Sequence, residues 1–401
     1  MTDHDVDQVT EVPVAVVGAG PSGLMLSHLL ARAGIDGVAV DTRTRAEIES
    51  THRAGILEPA NAKALVETGV SDRILRDGME HEGVELRFSG RGHRIDFAEL
   101  VGESVWLYPQ TDVFVDLADA RDRDGGTVHF GVTDTEVLDH ETERPRVRFT
   151  AADGTRHELR ARYVVGADGS RSSCRSLVPE ERRTQFFKEY PFAWFGILTH
   201  APMSAPELIY AQSEQGFALI SQRTDAIQRM YFQCDPDEDV DAWDDARIWE
   251  TLQQRVAGSD GFALKEGEIF EKAVLRFRSF VQQPMRWGSL VLAGDAGHTV
   301  PPTGAKGLNL ALHDVRILAD VLVRALGSGD DALVDEFEPR ALQRVWRAQS
   351  FSYWMTQLLH TAPGSTDYDY RRQVGELDSV VGTRAGRHYV AEQYCGWPTA
   401  G

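Results

Sequence analysis

The sequence predicts a mixed α/β fold, on three observations. Its first patterned stretch reads strand, helix, strand. Residues 190–235 hold four short apolar strands with little helix between them. From about residue 328 the pattern is helical to the end. Together these imply a Rossmann-like nucleotide-binding domain with a βαβ start. Beside it they place a discontinuous substrate domain built on an antiparallel sheet, and a helical C-terminal region.

Each element has a local reason. Residues 1–11 are acidic, lack apolar periodicity and read as a disordered tail. "VPVAVVG" (12–18) is a buried strand, "PSGLMLSHLLARAG" (21–34) a helix, and "VAVD" a second strand closing on Asp41. "LRARYVVGADG" is a strand ending at Gly169. "PFAWFGILTH", "ELIYAQ", "GFALISQR" and "IQRMYFQCD" form the substrate-side sheet, with "DARIWETLQQRVAG" as a helix against it. "GSLVLAG" is another buried strand. The amphipathic helix after it carries Leu308, Ala311, Leu312, Val315, Leu318 and Leu322 near helical spacing. The expected nucleotide domain is 12–80, 108–185 and 287–327. The substrate domain is 81–107 and 186–286, and 328–401 is the helical region.

Composition narrows the partners. The 401 residues carry 62 acidic and 42 basic side chains, a net charge of −20. That argues against nucleic acid and anionic membranes, and leaves any anionic ligand to a few placed arginines. The three cysteines, Cys174, Cys234 and Cys395, are scattered and not at metal-ligand spacing, so no metal site is expected. Reduced thiols, no signal-peptide pattern and no spanning apolar run point to the cytoplasm.

Three turns carry the chemistry. "GAGPSG" supplies Gly18, Gly20 and Gly23 as G-x-G-x-x-G between a strand and a helix, and Asp41 ends the next strand. That context fits a dinucleotide, with its pyrophosphate on the helix N-terminus and its ribose on the acid. "GADGSRS" (166–172) and "AGDAGHTVPPTG" (293–304) each follow an apolar strand. Singly, a D-G pair is a turn. Arginine in the apolar strand "GFALISQR" is a further oddity. Period two puts Phe217, Leu219, Ser221 and Arg223 on one face, and such an arginine is costly unless it meets an anion.

In this order and spacing the three turns resemble the fingerprints of the single-component FAD-dependent aromatic hydroxylases. "RAGILE" (53–58), "DGMEHEGVEL" (77–86), "ELIYAQSEQGFALISQR" (207–223), "RSFVQQPM" (278–285) and "VPPTGAKGLNL" (300–310) are similar to members acting on 4-hydroxybenzoate, nearly collinearly from residue 12 onward. The resemblance implies FAD, with NADH or NADPH as electron donor, O2 as co-substrate and a small aromatic acid as substrate. It implies hydroxylation at C3 to 3,4-dihydroxybenzoate through a C4a-hydroperoxyflavin, in a homodimer.

By resemblance, Ser221, Arg223 and Tyr231 clamp the substrate carboxylate, and Tyr210, Pro302 and Thr303 meet the rest of the ring. Tyr210, Tyr394 and His81 form a proton path, and the Pro302 carbonyl is a backbone acceptor near the substrate hydroxyl. Ser22, Arg53, Gln110, Asp168, Asp295, Gly307, Leu308 and Asn309 join the glycine loop and Asp41 around FAD, and Arg229 is coupled to flavin movement. Arg43, Arg45, Arg171 and Arg278 fall to the nicotinamide coenzyme. The chain departs from the pattern at Thr42 and Thr51, where arginines are usual, and at Arg171, where a histidine is usual, so coenzyme choice stays open with a lean to NADH. Two rivals remain: the same chemistry on another para-substituted benzoate such as 4-aminobenzoate, and a flavin-binding redox-responsive protein without turnover.

Overall fold

The computed structural model describes residues 6–51 and 55–397. The strand Gln8–Val17 pairs in parallel with Gly37–Asp41 on one side and Arg156–Gly166 on the other. Thr127–Phe130 and Leu290–Leu292 extend the parallel sheet at either end. A parallel sheet must be covered on both faces. Helices Pro21–Arg32, Gln110–Arg123 and Gly307–Ser328 cover one through Leu24, Phe114, Leu117, Val315 and Leu318. The hairpin strands Thr133–Leu138 and Arg146–Thr150 cover the other, packing Val147 and Phe149 on Ala15, Val17 and Val40. Each such buried aliphatic or aromatic side chain contributes about 1.5–3 kcal/mol.

The glycine fingerprint explains the tightness of the first turn. Gly18 has φ +105°, and a Cβ on Gly23 would lie 1.9 Å from the Gly18 carbonyl oxygen. The helix can therefore start directly against the strand end.

A second, seven-stranded sheet runs in the order Glu268–Leu275, Ala193–His200, Ile227–Cys234, Gly216–Gln222, Ile209–Ser213, Gly83–Phe88, Arg91–Asp96. Only the Ile209–Ser213 and Gly83–Phe88 pairing is parallel. Alternation gives it two apolar faces. One packs Phe195, Ile209, Ile220 and Phe232 against Ile248, Trp249 and Leu252 of helix Asp245–Val256. The other turns Trp194, Tyr210, Phe217 and Leu219 toward Phe351 and Met355 of helix Phe337–Leu359 and Tyr394 of helix Arg384–Cys395.

Four expectations are corrected. The segment read as a tail is strand from Gln8 onward, because Gln8 to Glu11 continue the ladder against His157 to Arg160. The strand expected to reach Gly169 ends at Gly166, where the chain turns away into the Asp168 loop. The expected boundaries at 80/81 and 185/186 fall inside strands, Met79–His81 and Thr184–Glu189, each paired across the junction. Arg223 lies one residue beyond strand Gly216–Gln222, its N–H bonded to the Ile227 carbonyl at 2.8 Å.

Candidate active site

A cavity of about 810 Å³ opens at the C-terminal ends of the parallel strands, the usual ligand position of an open α/β sheet. Gly18, Gly20 and Ser22 line it from the first turn, and Asp41 from the second strand. Gln110 and Asp168 line it from the middle of the chain, and Asp295, Gly307 and Leu308 from its last third. No side chain caps helix Pro21–Arg32 or helix Gly307–Ser328, so both leave N-terminal amides at this cavity. Ser22 Oγ is buried there without a hydrogen-bond partner among the described residues, a state that calls for one.

The acids do different work. Asp41 accepts from the Ala19 N–H at 3.0 Å and from the Arg43 N–H at 2.9 Å, and the Arg43 guanidinium folds onto it at 3.2 Å. Asp168 accepts from Ser172 Oγ at 2.5 Å and from the Ser173 and Cys174 N–H groups at 2.8 and 3.1 Å, so it shapes its own loop. Gly23 does not line the cavity. Nor does Asn309, which accepts from the Glu58 N–H at 2.9 Å and donates to the Ile56 and Ala305 carbonyls at 2.7 and 2.9 Å. Arg53 lies outside the described residues.

Of the four arginines expected at the coenzyme, Arg43 is held by Asp41, and Arg45 is held by Glu49 at 2.7 Å, Asp122 at 2.8 Å and Asp119. Arg171 is exposed at the cavity edge, and Arg278 donates to the Ser170 carbonyl beside it at 3.1 Å.

Sheet register assembles the second group. Tyr210 lies opposite Leu219, and Leu219 opposite Tyr231. In the next row on that face, Ser221 lies opposite Arg229. Tyr231 fits because its other neighbour is Gly196, where a Cβ would come within 2.7 Å of the Tyr231 ring. The Arg223 guanidinium is half-buried and makes no hydrogen bond or ion pair among the described residues. Burial first, and then the like charge of Arg229, hold its pKa below the ordinary arginine value. Asp112 and Glu271 offset this only in part and from beyond ion-pair reach, so the partly desolvated pair of cations still has room for an anion.

The Tyr210 and Tyr394 hydroxyls are 2.7 Å apart, on side chains 1% and 3% exposed. Burial pushes both phenols well above their ordinary pKa. His81 is not hydrogen-bonded to either tyrosine among the described residues; it is buried, its Nε2 has no partner, and burial lowers its pKa. Pro302 and Thr303 form the turn Pro302–Gly304. The Pro302 carbonyl accepts from the Ala305 N–H at 2.9 Å, and the Thr303 hydroxyl is tied to Thr356 Oγ1 at 2.9 Å.

One buried connection had no local signal. Lys306, 1% exposed, donates to Glu58 at 2.8 Å and to the Tyr394 carbonyl at 3.0 Å, while Glu58 also binds Arg344. The turn at 302–306 and Tyr394 are thereby held as one piece. Its partners lie far away in sequence, where spacing arguments do not reach.

The family model described as an FAD binding domain matches residues 11–352. The p-hydroxybenzoate hydroxylase of Acinetobacter baylyi is 39% identical over 392 residues, covering 98% of this chain and 96% of that one. The chain belongs to the FAD-dependent aromatic hydroxylase family. The hydroxylase is also 30% identical to a 3-(3-hydroxy-phenyl)propionate/3-hydroxycinnamic acid hydroxylase of Mycolicibacterium vanbaalenii, over 82% of this chain and 57% of that longer one. Its fold matches p-nitrophenol 4-monooxygenase PnpA from Pseudomonas putida DLL-E4, with TM-score 0.81 at 20% identity over 97% and 99% of the two chains. The cavity fits the cofactor on its own terms: two uncapped helix N-termini suit a pyrophosphate and an electron-rich ring edge, and the orphaned Ser22 hydroxyl gains a partner. Bound there, FAD supplies electron transfer and oxygen activation.

Proposed function

We propose that this hydroxylase acts on 4-hydroxybenzoate, adding a hydroxyl at C3 to give 3,4-dihydroxybenzoate with NADH and O2. The observation that carries the reading is Arg223: a half-buried guanidinium in no ion pair among the described residues, feeling Asp112 and Glu271 only from beyond ion-pair reach, beside Ser221, Arg229 and Tyr231. A carboxylate completes it, and the planar guanidinium fixes the ring's orientation as well as its charge. At the next row, Tyr210 hydrogen-bonds Tyr394 in a dry setting, placed to take the 4-hydroxyl proton into a relay. Drawing off that proton raises electron density at C3, the carbon ortho to the oxygen. His81 is the proposed next station, through a bridging water at its open Nε2.

The coenzyme reading is NADH. A 2′-phosphate wants a free arginine fork, yet Arg43 and Arg45 are engaged by carboxylates and Thr42 and Thr51 supply no charge. Arg171 and Arg278 at the cavity edge are the proposed coenzyme contacts. We further propose a homodimer that works in the cytoplasm. Exposed Phe186, Phe187, Trp346 and Tyr353 favour a second copy, and the free thiols Cys174, Cys234 and Cys395 suit a reducing compartment.

The test is coenzyme oxidation by the FAD-loaded protein with 4-hydroxybenzoate, with 4-aminobenzoate and with neither, the product being identified by chromatography. Stimulation by 4-hydroxybenzoate with 3,4-dihydroxybenzoate formed is expected. Oxidation indifferent to every aromatic overturns the reading, and preference for 4-aminobenzoate replaces the substrate.

A further inference from the structure

Behind the clamp lies a histidine that no step of the proposed reaction uses. His360 ends helix Phe337–Leu359 and is buried between the rings of Phe192, at 4.6 Å, and Phe217, at 4.3 Å. The Trp194 indole N–H donates to its Nε2 at 2.7 Å. Its Nε2 is therefore the bare nitrogen, and Nδ1 carries the proton and donates to the Thr356 carbonyl at 2.9 Å. Both ring nitrogens are satisfied and the imidazole is neutral, with burial pushing its pKa down to about 3.

Trp194 transmits this to the substrate face. The indole is 2% exposed, and its ring centre lies 5.0 Å from that of Tyr231 and 5.3 Å from that of Phe217. Tyr231 also rests over Gly196, in the same strand as Trp194, and leaves no room for a Cβ there. The Tyr231 ring is thus packed against both an indole and a bare backbone, and its phenol reaches Arg229. An indole whose N–H had no acceptor in this apolar box would leave a buried donor unsatisfied, and rotation toward another partner would unseat Tyr231.

We propose that His360 is a positioning residue for the carboxylate clamp: its Nε2 fixes the Trp194 indole, and the indole fixes Tyr231. The inference rests on reading Tyr231 and Arg223 as that clamp. It extends the site by two residues that lie outside the clamp and relay sets. It also makes the end of a C-terminal helix a determinant of aromatic-acid affinity.

The experiment is titration of the flavin spectrum with 4-hydroxybenzoate in FAD-loaded wild-type protein and in Tyr231→Phe, Trp194→Phe, His360→Leu and His360→Gln. Leucine removes the acceptor, and glutamine returns an amide oxygen near the Nε2 position. His360→Leu is expected to raise Kd about tenfold, with His360→Gln recovering most of the loss. His360→Leu added to Trp194→Phe is expected to cost nothing further, because the donor it serves is already gone. Should His360→Leu fail to fold, Trp194→Phe alone must raise Kd by a similar factor. An unchanged Kd in Tyr231→Phe overturns the clamp reading and this inference with it. A weakened Tyr231→Phe beside an unchanged His360→Leu, or additive effects of the Trp194 and His360 changes, overturns this inference alone.

Discussion

At Arg223 burial and a neighbouring cation outweigh the pull of Asp112 and Glu271, neither of which pairs with it. The guanidinium is half-buried, has Arg229 beside it and meets no carboxylate in an ion pair among the described residues. Arg223→Ala leaves a bound carboxylate desolvated and unpaired, a loss of about 2–5 kcal/mol in aromatic-acid binding. Flavin-spectrum titration measures it, and an unchanged Kd removes Arg223 from the clamp. This residue was legible in sequence because an arginine at the end of an apolar alternation violates a simple rule. Gly196 and His360 were not. A glycine in a strand and a histidine after a helix carry no such violation, and their meaning comes from Tyr231 and Trp194, which other segments supply. Asp168 was legible as a turn residue, but its bonds to Ser172, Ser173 and Cys174 show that it shapes its own loop, a role that a ligand-facing reading of the motif passes over.

Among elements, the helix Gly307–Ser328 is where period and chemistry agreed. Its apolar stripe packs as its spacing implies, and its N-terminus lines the cavity. Hidden in that stripe is Asp314, fully buried, which accepts from the Gly294 N–H at 2.9 Å and pairs with His298 at 2.6 Å. It ties the Asp295 turn to the helix. Burial alone would lower the His298 pKa, but the Asp314 carboxylate outweighs it and leaves the pKa above the ordinary 6.5. The stabilisation from this charged pair is complete below pH 6.5, the unfolded value, and is lost as pH rises through the raised folded value. His298→Gln is therefore expected to cost about 1–3 kcal/mol at mildly acidic pH, with the gap to wild type closing as pH rises. Thermal midpoints of both proteins across pH check this, and a gap that widens with pH contradicts a charged pair. The end of strand Gly37–Asp41 makes a second element-scale prediction. Thr42→Arg offers a guanidinium that Arg43 does not, and is expected to raise kcat/KM for NADPH relative to NADH by about tenfold. A ratio unmoved in steady-state assays, or a wild type that already favours NADPH, contradicts the coenzyme reading.

Across the whole molecule, the βαβ start, the antiparallel sheet and the C-terminal helices were all legible from periodicity. Their boundaries were not. Short strands such as Met79–His81 and Thr184–Glu189 join the layers through partners remote in sequence, and Gln8 to Glu11 become strand only because Arg156–Gly166 offers them a ladder. The proposed homodimer is likewise a property of the assembled surface, since Phe186 of one segment meets Trp346 of another at 5.2 Å. Sedimentation is expected to give twice the mass of one chain, reduced to one by Phe187→Glu with Trp346→Glu; a monomeric wild type contradicts it. In the proposed reading, a proton path from substrate to Tyr210 and Tyr394, whose hydroxyls are hydrogen-bonded, is what joins the layers into an enzyme. The measurement that tests this most directly is 3,4-dihydroxybenzoate formed per NADH oxidised, with hydrogen peroxide counted in parallel, in wild type and Tyr210→Phe. The account predicts nearly one product per NADH in the wild type. In the variant it predicts hydroxylation slower by about 10²–10⁴-fold, with peroxide taking the difference. A wild type that makes no dihydroxybenzoate, or a Tyr210→Phe variant that stays fully coupled, contradicts it.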